Sequence, residues 1–180
     1  MTNKNLIITV DVDQPAHEVF NAVCNVSKWW TEDIRGKTKT LDDEFTVQFG
    51  DVHYSKQRLI EVVPDKKIVW LITDSRLNFL QNKQEWTDTR IVFDISAHGN
   101  KTRLQFTHVG LVPDIECYKD CSNAWGYYIS GGLAELIVSG KGQPERKPTA
   151  GRLPEGPSLN IFSPEVLFIG TEGLKIKKPR

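Results

Sequence analysis

The first clear pattern of apolar and polar positions lies near the N-terminus and predicts a β-strand. Apolar residues take every second position of residues 6–12, which is the period of a half-buried strand: Leu6, Ile8, Val10 and Val12. We therefore expect one face of this strand to pack against a core.

A helical spacing follows directly. Asp13, Gln14 and Pro15 form a helix-start cluster, and apolar residues then recur along one helix face: Ala16, Val19, Phe20 and Val23. The pattern predicts a short helix from Ala16 through Cys24. Ser27 would cap a further turn that carries Trp29 and Trp30, and residues 36–43 are predicted to be a loop or a weak edge strand.

From Glu44 onward the period returns to two and predicts a run of strands. Phe45, Val47 and Phe49 alternate with polar residues before a turn at Gly50 and Asp51. Further strands are predicted over residues 52–63, 67–73, 89–96 and 102–109, with a polar loop at 74–85 and a hairpin turn at 98–100. Short connections of this kind indicate an antiparallel meander.

A long helix is predicted over residues 115–139, after Pro113 and Asp114. It carries one buried stripe and ends at Gly140: Cys117, Cys121, Trp125, Ile129, Gly132 and Leu136. Strand, short helices, a run of strands and a terminal helix form an α+β order in which helices cover one face of an antiparallel sheet.

The composition changes beyond the helix, and we predict one domain over residues 1–144 followed by a Pro/Gly-rich basic tail over 145–180. We expect this tail to be mobile. The alternative is that its two apolar stretches, 159–162 and 166–169, dock on the domain or add an edge strand.

Composition and charge narrow the function classes. The chain has 23 basic and 23 acidic residues, so no overall field attracts nucleic acid or an anionic membrane. The N-terminal apolar run is too short for a signal segment or a membrane span. Three cysteines then favour reduced thiols in the cytoplasm over a disulfide framework.

Four segments resemble the activator of Hsp90 ATPase branch of the START-like, Bet v 1-like superfamily. They are PAHEVFNAVCNVSKWW at 15–30, VVPDKKIVWLITDS at 62–75, EWTDTRIVFDIS at 85–96 and FTHVGLVPDIECYKDCSNAWGYYI at 106–129. The resemblance implies a helix-grip fold, in which a curved antiparallel sheet wraps around a long C-terminal helix and encloses a cavity for apolar ligands. The branch name implies a second partner, an Hsp90-type chaperone.

Aromatic residues are the main candidates for the wall of such a cavity, because they combine apolar area with a polar handle. Trp30 and Phe79 lie in irregular segments and would act as lids at the mouth. The full set of predicted ligand-binding residues is Trp30, Phe45, Tyr54, Trp70, Phe79, Trp86, Phe93, His108, Cys121, Trp125 and Tyr128.

Two histidines are candidate polar groups. His108 shares a strand face with Leu104 and Phe106, so it is predicted to point inward, either as a ligand anchor or as a hydrogen-bonded core residue. The structural role is the better-supported interpretation, because most buried histidines take part in neither catalysis nor ligand binding. The face of His53 is left open by the pattern of residues 52–63.

Cofactor and nucleophile signals are weak. Cys117, Cys121 and His108 would supply three soft ligands to zinc, but the spacing favours packing residues, and a helical i, i+4 disulfide is disfavoured as well. No GxSxG motif is present. We therefore predict no metal, no cofactor and no catalytic residue.

Three functions remain for the cavity and the surface. The leading hypothesis is a binding module for a hydrophobic or aromatic small molecule. The second is a cyclase-like or hydrolase-like enzyme that pairs His108 with Tyr54, Glu116 or a cysteine. The third is a chaperone partner that acts through the outer surface.

Overall fold

A seven-stranded antiparallel sheet forms the frame of the protein. The computed structural model describes residues 4–148. The strands are β1 (Leu6–Val12), β2 (Ile34–Gly36), β3 (Glu44–Phe49), β4 (His53–Val63), β5 (Lys67–Leu77), β6 (Arg90–His98) and β7 (Lys101–Val109). They lie in the order β1-β7-β6-β5-β4-β3-β2, so the first strand pairs with the last. Together with the C-terminal helix, this curved sheet confirms the predicted helix-grip α+β fold.

Alternation along β7 shows how the sequence sets the core face. Leu104, Phe106 and His108 are completely buried, whereas the residues between them are partly exposed. A shift of one residue in register would expose all three side chains, so the buried face is strongly specified.

Strand β5 is longer than predicted, and the expectation of a loop from Asp74 is wrong at its start. Residues 74–77 continue the strand and pair with residues 53–56 of β4. The residues Asp74, Ser75 and Arg76 have little β character by themselves, so tertiary pairing with β4 overrides local propensity here. The irregular connection to β6 therefore covers residues 78–89, which we call the β5–β6 loop.

Helices pack on the inner face of the sheet. Helix α1 spans Ala16–Cys24, and a 3₁₀ turn follows at Val26–Lys28. The C-terminal helix has 22 residues and comprises α2 (Tyr118–Gly126), a π-helical segment (Tyr127–Leu133) and α3 (Ala134–Ser139). Among residues 4–148, no helix is both long and apolar enough to span a membrane.

The π-helical segment follows from the spacing of the buried residues. The C-terminal helix buries two rows whose members are four positions apart: 121, 125, 129, 133 and 137, and 124, 128, 132 and 136. In a regular α-helix each step of four residues rotates a side chain by about 40° beyond a full turn. A π-helical turn contains more residues and reduces this drift. Both rows therefore keep facing the core.

The described residues that follow the C-terminal helix remain in contact with the domain. Glu145, which the sequence analysis assigns to the tail, forms a parallel bridge with Thr31. Its backbone N–H donates to Trp30 O at 3.0 Å, and its carbonyl accepts from the N–H of Glu32 at 2.8 Å. The apolar stretches 159–162 and 166–169 lie outside the described residues.

Gly132 lies where the C-terminal helix meets the backbone of the turn that carries Trp29. A Cβ at this position would lie 2.8 Å from Trp29 O, whereas a Cβ at Gly131 meets nothing within 4 Å. Gly132 is buried, as the predicted stripe requires, and it faces this turn. Glycine here permits backbone contact that any side chain would prevent.

We predict that Gly132→Ala lowers the free energy of unfolding by about 1–3 kcal/mol, because the methyl group would push the helix away from Trp29. Gly131→Ala is the matched control. It should leave stability unchanged or raise it by up to about 1 kcal/mol, since alanine favours a helix. Urea unfolding measures both variants, and equal stability of the two would contradict the proposed close contact.

Candidate functional site

An aromatic layer fills the space between the sheet and the C-terminal helix. Trp29 and Trp30 stack on Trp70, with ring centroids 6.4 and 6.1 Å away. Trp30 also lies 4.9 Å from Trp125, which stacks on Trp86 at 5.6 Å. All five rings are less than 5% exposed. The layer therefore connects the sheet to the C-terminal helix through continuous ring contacts.

A narrow pocket lies within this layer, and we call it the aromatic pocket. Its volume is about 10 Å³, roughly the space of one water molecule. It is lined by Trp30, Phe49, His53, Trp86, Cys121, Ala124, Trp125 and Tyr128. A ligand larger than water therefore requires outward movement of some of these side chains.

A buried polar row on β4 begins at the aromatic pocket. His53, Ser55 and Gln57 occupy alternate positions of the inward face and are at most 3% exposed. The Ser55 hydroxyl contacts both His53 Nε2, at 3.0 Å, and the Gln57 amide. Such groups are stable in a core only because they are hydrogen-bonded to one another.

The aromatic pocket is electrically neutral. Burial lowers the pKa of His53 to about 3, so its imidazole is uncharged at neutral pH. None of the other seven lining residues is an acid or a base that ionises near neutral pH, and burial raises the pKa of Tyr128 above its usual value. The lining therefore favours an uncharged occupant.

The Tyr128 hydroxyl is the unusual polar atom of this site. Tyr128 is 2% exposed, and its hydroxyl has no hydrogen-bond partner among the described residues. A buried hydroxyl left without a partner is destabilising by about 1–3 kcal/mol. Phenylalanine would fill the same space without this loss.

His108 lies beside the aromatic pocket, and both of its ring nitrogens are bonded to protein atoms. Trp125 Nε1–H donates to His108 Nδ1 at 3.0 Å, which places the histidine proton on Nε2. Nε2–H then donates to Thr89 Oγ1 at 2.9 Å, and the Thr89 hydroxyl donates to Trp86 O. This chain of bonds favours the structural interpretation of His108 over a ligand anchor.

The β5–β6 loop covers the pocket and is tied to the start of the C-terminal helix. The Glu85 carboxylate accepts from the N–H groups of Glu116 and Cys117, at 2.9 and 2.8 Å. In return, the Glu116 carboxylate accepts from the N–H of Gln81. These reciprocal bonds hold Trp86 above His53, His108 and Trp125.

The expectation of free thiols at Cys117 and Cys121 is wrong. The structure joins them in a disulfide, with 5.6 Å between their Cα atoms, within the range that a disulfide spans. Trp86 Nε1–H donates to Cys117 Sγ at 3.2 Å. Cys24 is a buried free thiol, and burial raises its pKa to about 11.

The predicted ligand-binding residues divide into three groups. Trp30, Trp86, Cys121, Trp125 and Tyr128 line the aromatic pocket. Phe45, Trp70, Phe93 and His108 are buried in the core beside it. Tyr54 and Phe79 do not line it: Tyr54 lies on the outer face of β4 below Arg76, and Phe79 packs partly buried against the core.

Three lining residues are not in the predicted ligand-binding set: Phe49, Ala124 and His53, whose face the sequence pattern left open. Phe49 and His53 are cross-strand partners at the end of the β3–β4 hairpin, so both side chains share one face of the sheet. Phe45 and Phe49 also share that face by alternation. Extending the alternation of β3 across the hairpin would therefore have placed His53 inward and Tyr54 outward.

Comparisons with known proteins identify a family and a fold. The model of the family described as "Activator of Hsp90 ATPase homolog 1-like protein" matches residues 13–137. No curated protein sequence matches the chain significantly.

Solved structures show the same fold. The Aha1 dimer from Colwellia psychrerythraea is 20% identical with a TM-score of 0.63, and the match covers 77% of this chain and 99% of that one. MLL2253 from Mesorhizobium loti is 14% identical (TM-score 0.59, coverage 74% and 96%), and CalU16 from Micromonospora echinospora is 15% identical (TM-score 0.53, coverage 74% and 74%). At these identities the likeness shows the fold alone.

The buried histidines predict a loss of stability in acid. Burial, together with repulsion from His53 when that ring is protonated, lowers the pKa of His108 from 6.5 to about 3. Below pH 6.5, His108 is therefore protonated in the unfolded chain but stays neutral in the folded chain. The free energy of unfolding falls as the pH drops towards 3. Each such histidine contributes a slope of up to about 1.4 kcal/mol per pH unit.

We predict that His108→Phe lowers the free energy of unfolding at pH 7.5 by about 1–3 kcal/mol, because the Trp125 N–H loses its acceptor. The variant should also depend less steeply on pH between 6 and 4.5 than the wild type. The exposed residue His17 provides the control His17→Gln, which should keep the wild-type slope. Urea unfolding at several pH values tests this, and identical slopes for all three proteins would refute the linkage.

Proposed function

Since this chain belongs to the Activator of Hsp90 ATPase homolog 1-like protein family, we propose that it binds an uncharged, aromatic small molecule in the aromatic pocket. The observation that carries the proposal is the Tyr128 hydroxyl, a buried group that has no hydrogen-bond partner among residues 4–148 and belongs to a residue that lines this aromatic pocket. A bound ligand with one hydrogen-bonding group would satisfy this hydroxyl and stack on the tryptophans.

Ring geometry and electrostatics support the same class of ligand. Trp86 and Trp125 stack within 11° of parallel, so a flat ring that replaces or separates them keeps favourable contacts. The neutral state of His53 adds a buried polar group without a charge. A charged ligand would lose its hydration in this pocket and find no opposite charge among the lining residues.

The enzyme alternative has less support. General acid–base catalysis needs a titratable group that can reach the substrate, with a pKa near the working pH. His108 has both nitrogens bonded to protein, and burial holds the pKa of His53 near 3. No carboxylate lines the aromatic pocket. Binding therefore accounts for the site better than catalysis.

Binding can be tested with two ligands of similar shape, 1-naphthol and 1-methylnaphthalene. The wild type should bind 1-naphthol more tightly by about 0.5–1.5 kcal/mol, the usual net value of a hydrogen bond. Tyr128→Phe should remove this preference and keep binding of 1-methylnaphthalene. Quenching of tryptophan fluorescence gives both dissociation constants, because three of the lining residues are tryptophans.

Tyr127→Phe is the matched control. Tyr127 is adjacent in sequence but 41% exposed, so its variant should bind both compounds like the wild type. Absence of saturable binding of either compound would overturn the proposed function. Equal binding of both compounds by the wild type would show that the Tyr128 hydroxyl does not take part in recognition and would overturn its proposed role.

A further inference from the structure

The Cys117–Cys121 disulfide lies at the point where the β5–β6 loop meets the C-terminal helix. Cys121 lines the aromatic pocket, and Cys117 Sγ accepts the indole N–H of Trp86. Both cysteines are at most 1% exposed. Any movement of the two sulfur atoms is therefore transmitted to the side chains around the pocket.

The loop depends on the same two residues for its attachment. Glu85 binds the N–H of Cys117, and Trp86 follows Glu85 directly and rests on Cys117 Sγ. The ring of Trp86 stacks on Trp125 and closes one side of the aromatic pocket. One loop segment thus joins the disulfide to the side chain that must move to admit a ligand.

From this geometry we infer that the Cys117–Cys121 pair is a redox-controlled gate of the aromatic pocket, closed when oxidised and open when reduced. This inference rests on the proposed function. The reductant is a small dithiol. One of its thiolates attacks one cysteine sulfur, forming a mixed disulfide and releasing the other cysteine as a thiolate. Its second thiolate then attacks its own sulfur in the mixed disulfide and releases the first cysteine. The cysteines receive two electrons and two protons, and the dithiol becomes a disulfide.

The covalent bond explains why the oxidised pocket is closed. It fixes Cys117 Sγ, which accepts the Trp86 N–H, relative to Cys121, which lines the pocket. Reduction removes this link, so each side chain can change its rotamer separately. Trp86, which rests on Cys117 Sγ, then gains freedom to move away from the pocket.

Reciprocity follows from the same coupling. If reduction strengthens ligand binding by a given factor, bound ligand must favour the dithiol over the disulfide by the same factor. The two effects are measured independently, one by titration with ligand and the other by equilibration with a thiol buffer.

The test uses wild-type protein and 1-naphthol. The protein is oxidised with oxidised glutathione or reduced with dithiothreitol, and intact mass confirms loss or gain of two hydrogens. The reduced form should bind 1-naphthol at least about fivefold more tightly, the lower range of coupling between linked sites. Saturating 1-naphthol should shift the thiol–disulfide equilibrium towards the dithiol by the same factor.

Two variants separate the disulfide from other effects of reductant. The double variant Cys117→Ser, Cys121→Ser should bind 1-naphthol equally with and without dithiothreitol. Cys24→Ala is the control and should keep the wild-type difference, since Cys24 forms no disulfide.

Two results would overturn the gate alone: failure of oxidised glutathione to form the disulfide, or equal affinity of the oxidised and reduced forms. In both cases 1-naphthol still binds, so the proposed function stands. Absence of 1-naphthol binding in both redox states would overturn the proposed function together with the gate.

Discussion

Five indole rings are buried in one layer between the sheet and the C-terminal helix, and this constraint shapes the rest of the molecule. Rings of this size separate the two surfaces wherever they lie, so close backbone contact is confined to the edge of the layer. There Gly132 and Gly142 approach the carbonyl oxygens of Trp29 and Lys28. Indole rings therefore fill the space between the sheet and the helix, and glycines permit close backbone contact at its edge.

The same layer determines which polar groups the core contains. Each indole carries an N–H that needs an acceptor when buried. Trp29 uses the carbonyl of Val23, Trp125 uses His108, and Trp86 uses the disulfide sulfur. His108 thus serves in the core as the hydrogen-bond acceptor of the buried Trp125 indole. Trp70 Nε1 and the Tyr128 hydroxyl have no hydrogen-bond partner among residues 4–148. Of these two residues, Tyr128 lines the aromatic pocket, so it is the group on which the proposed recognition of a ligand depends.

Periodicity predicted the elements whose faces are set by burial, such as β7 with Leu104, Phe106 and His108. It failed where long-range contacts decide. Residues 74–77 become strand only through pairing with β4. The Cys117–Cys121 disulfide is a different case, because the two residues are only four positions apart and the apolar pattern carries no information on whether their thiols are joined. The aromatic residues of the pocket could be nominated from composition and family resemblance. The position of Trp86 over the pocket could not be predicted, because it depends on a loop that Glu85 holds to the start of the C-terminal helix.

The π-helical segment at Tyr127–Leu133 also bears on how the helix tolerates insertions and deletions. Removing one residue between Tyr128 and Leu136 would restore a regular α-helix in which the two residues are seven positions apart, about 700° or 20° short of two full turns. Tyr128 and Leu136 would keep their alignment, and both halves of the helix would keep their buried faces. This stretch can therefore lose one residue without turning the buried side of the helix towards solvent.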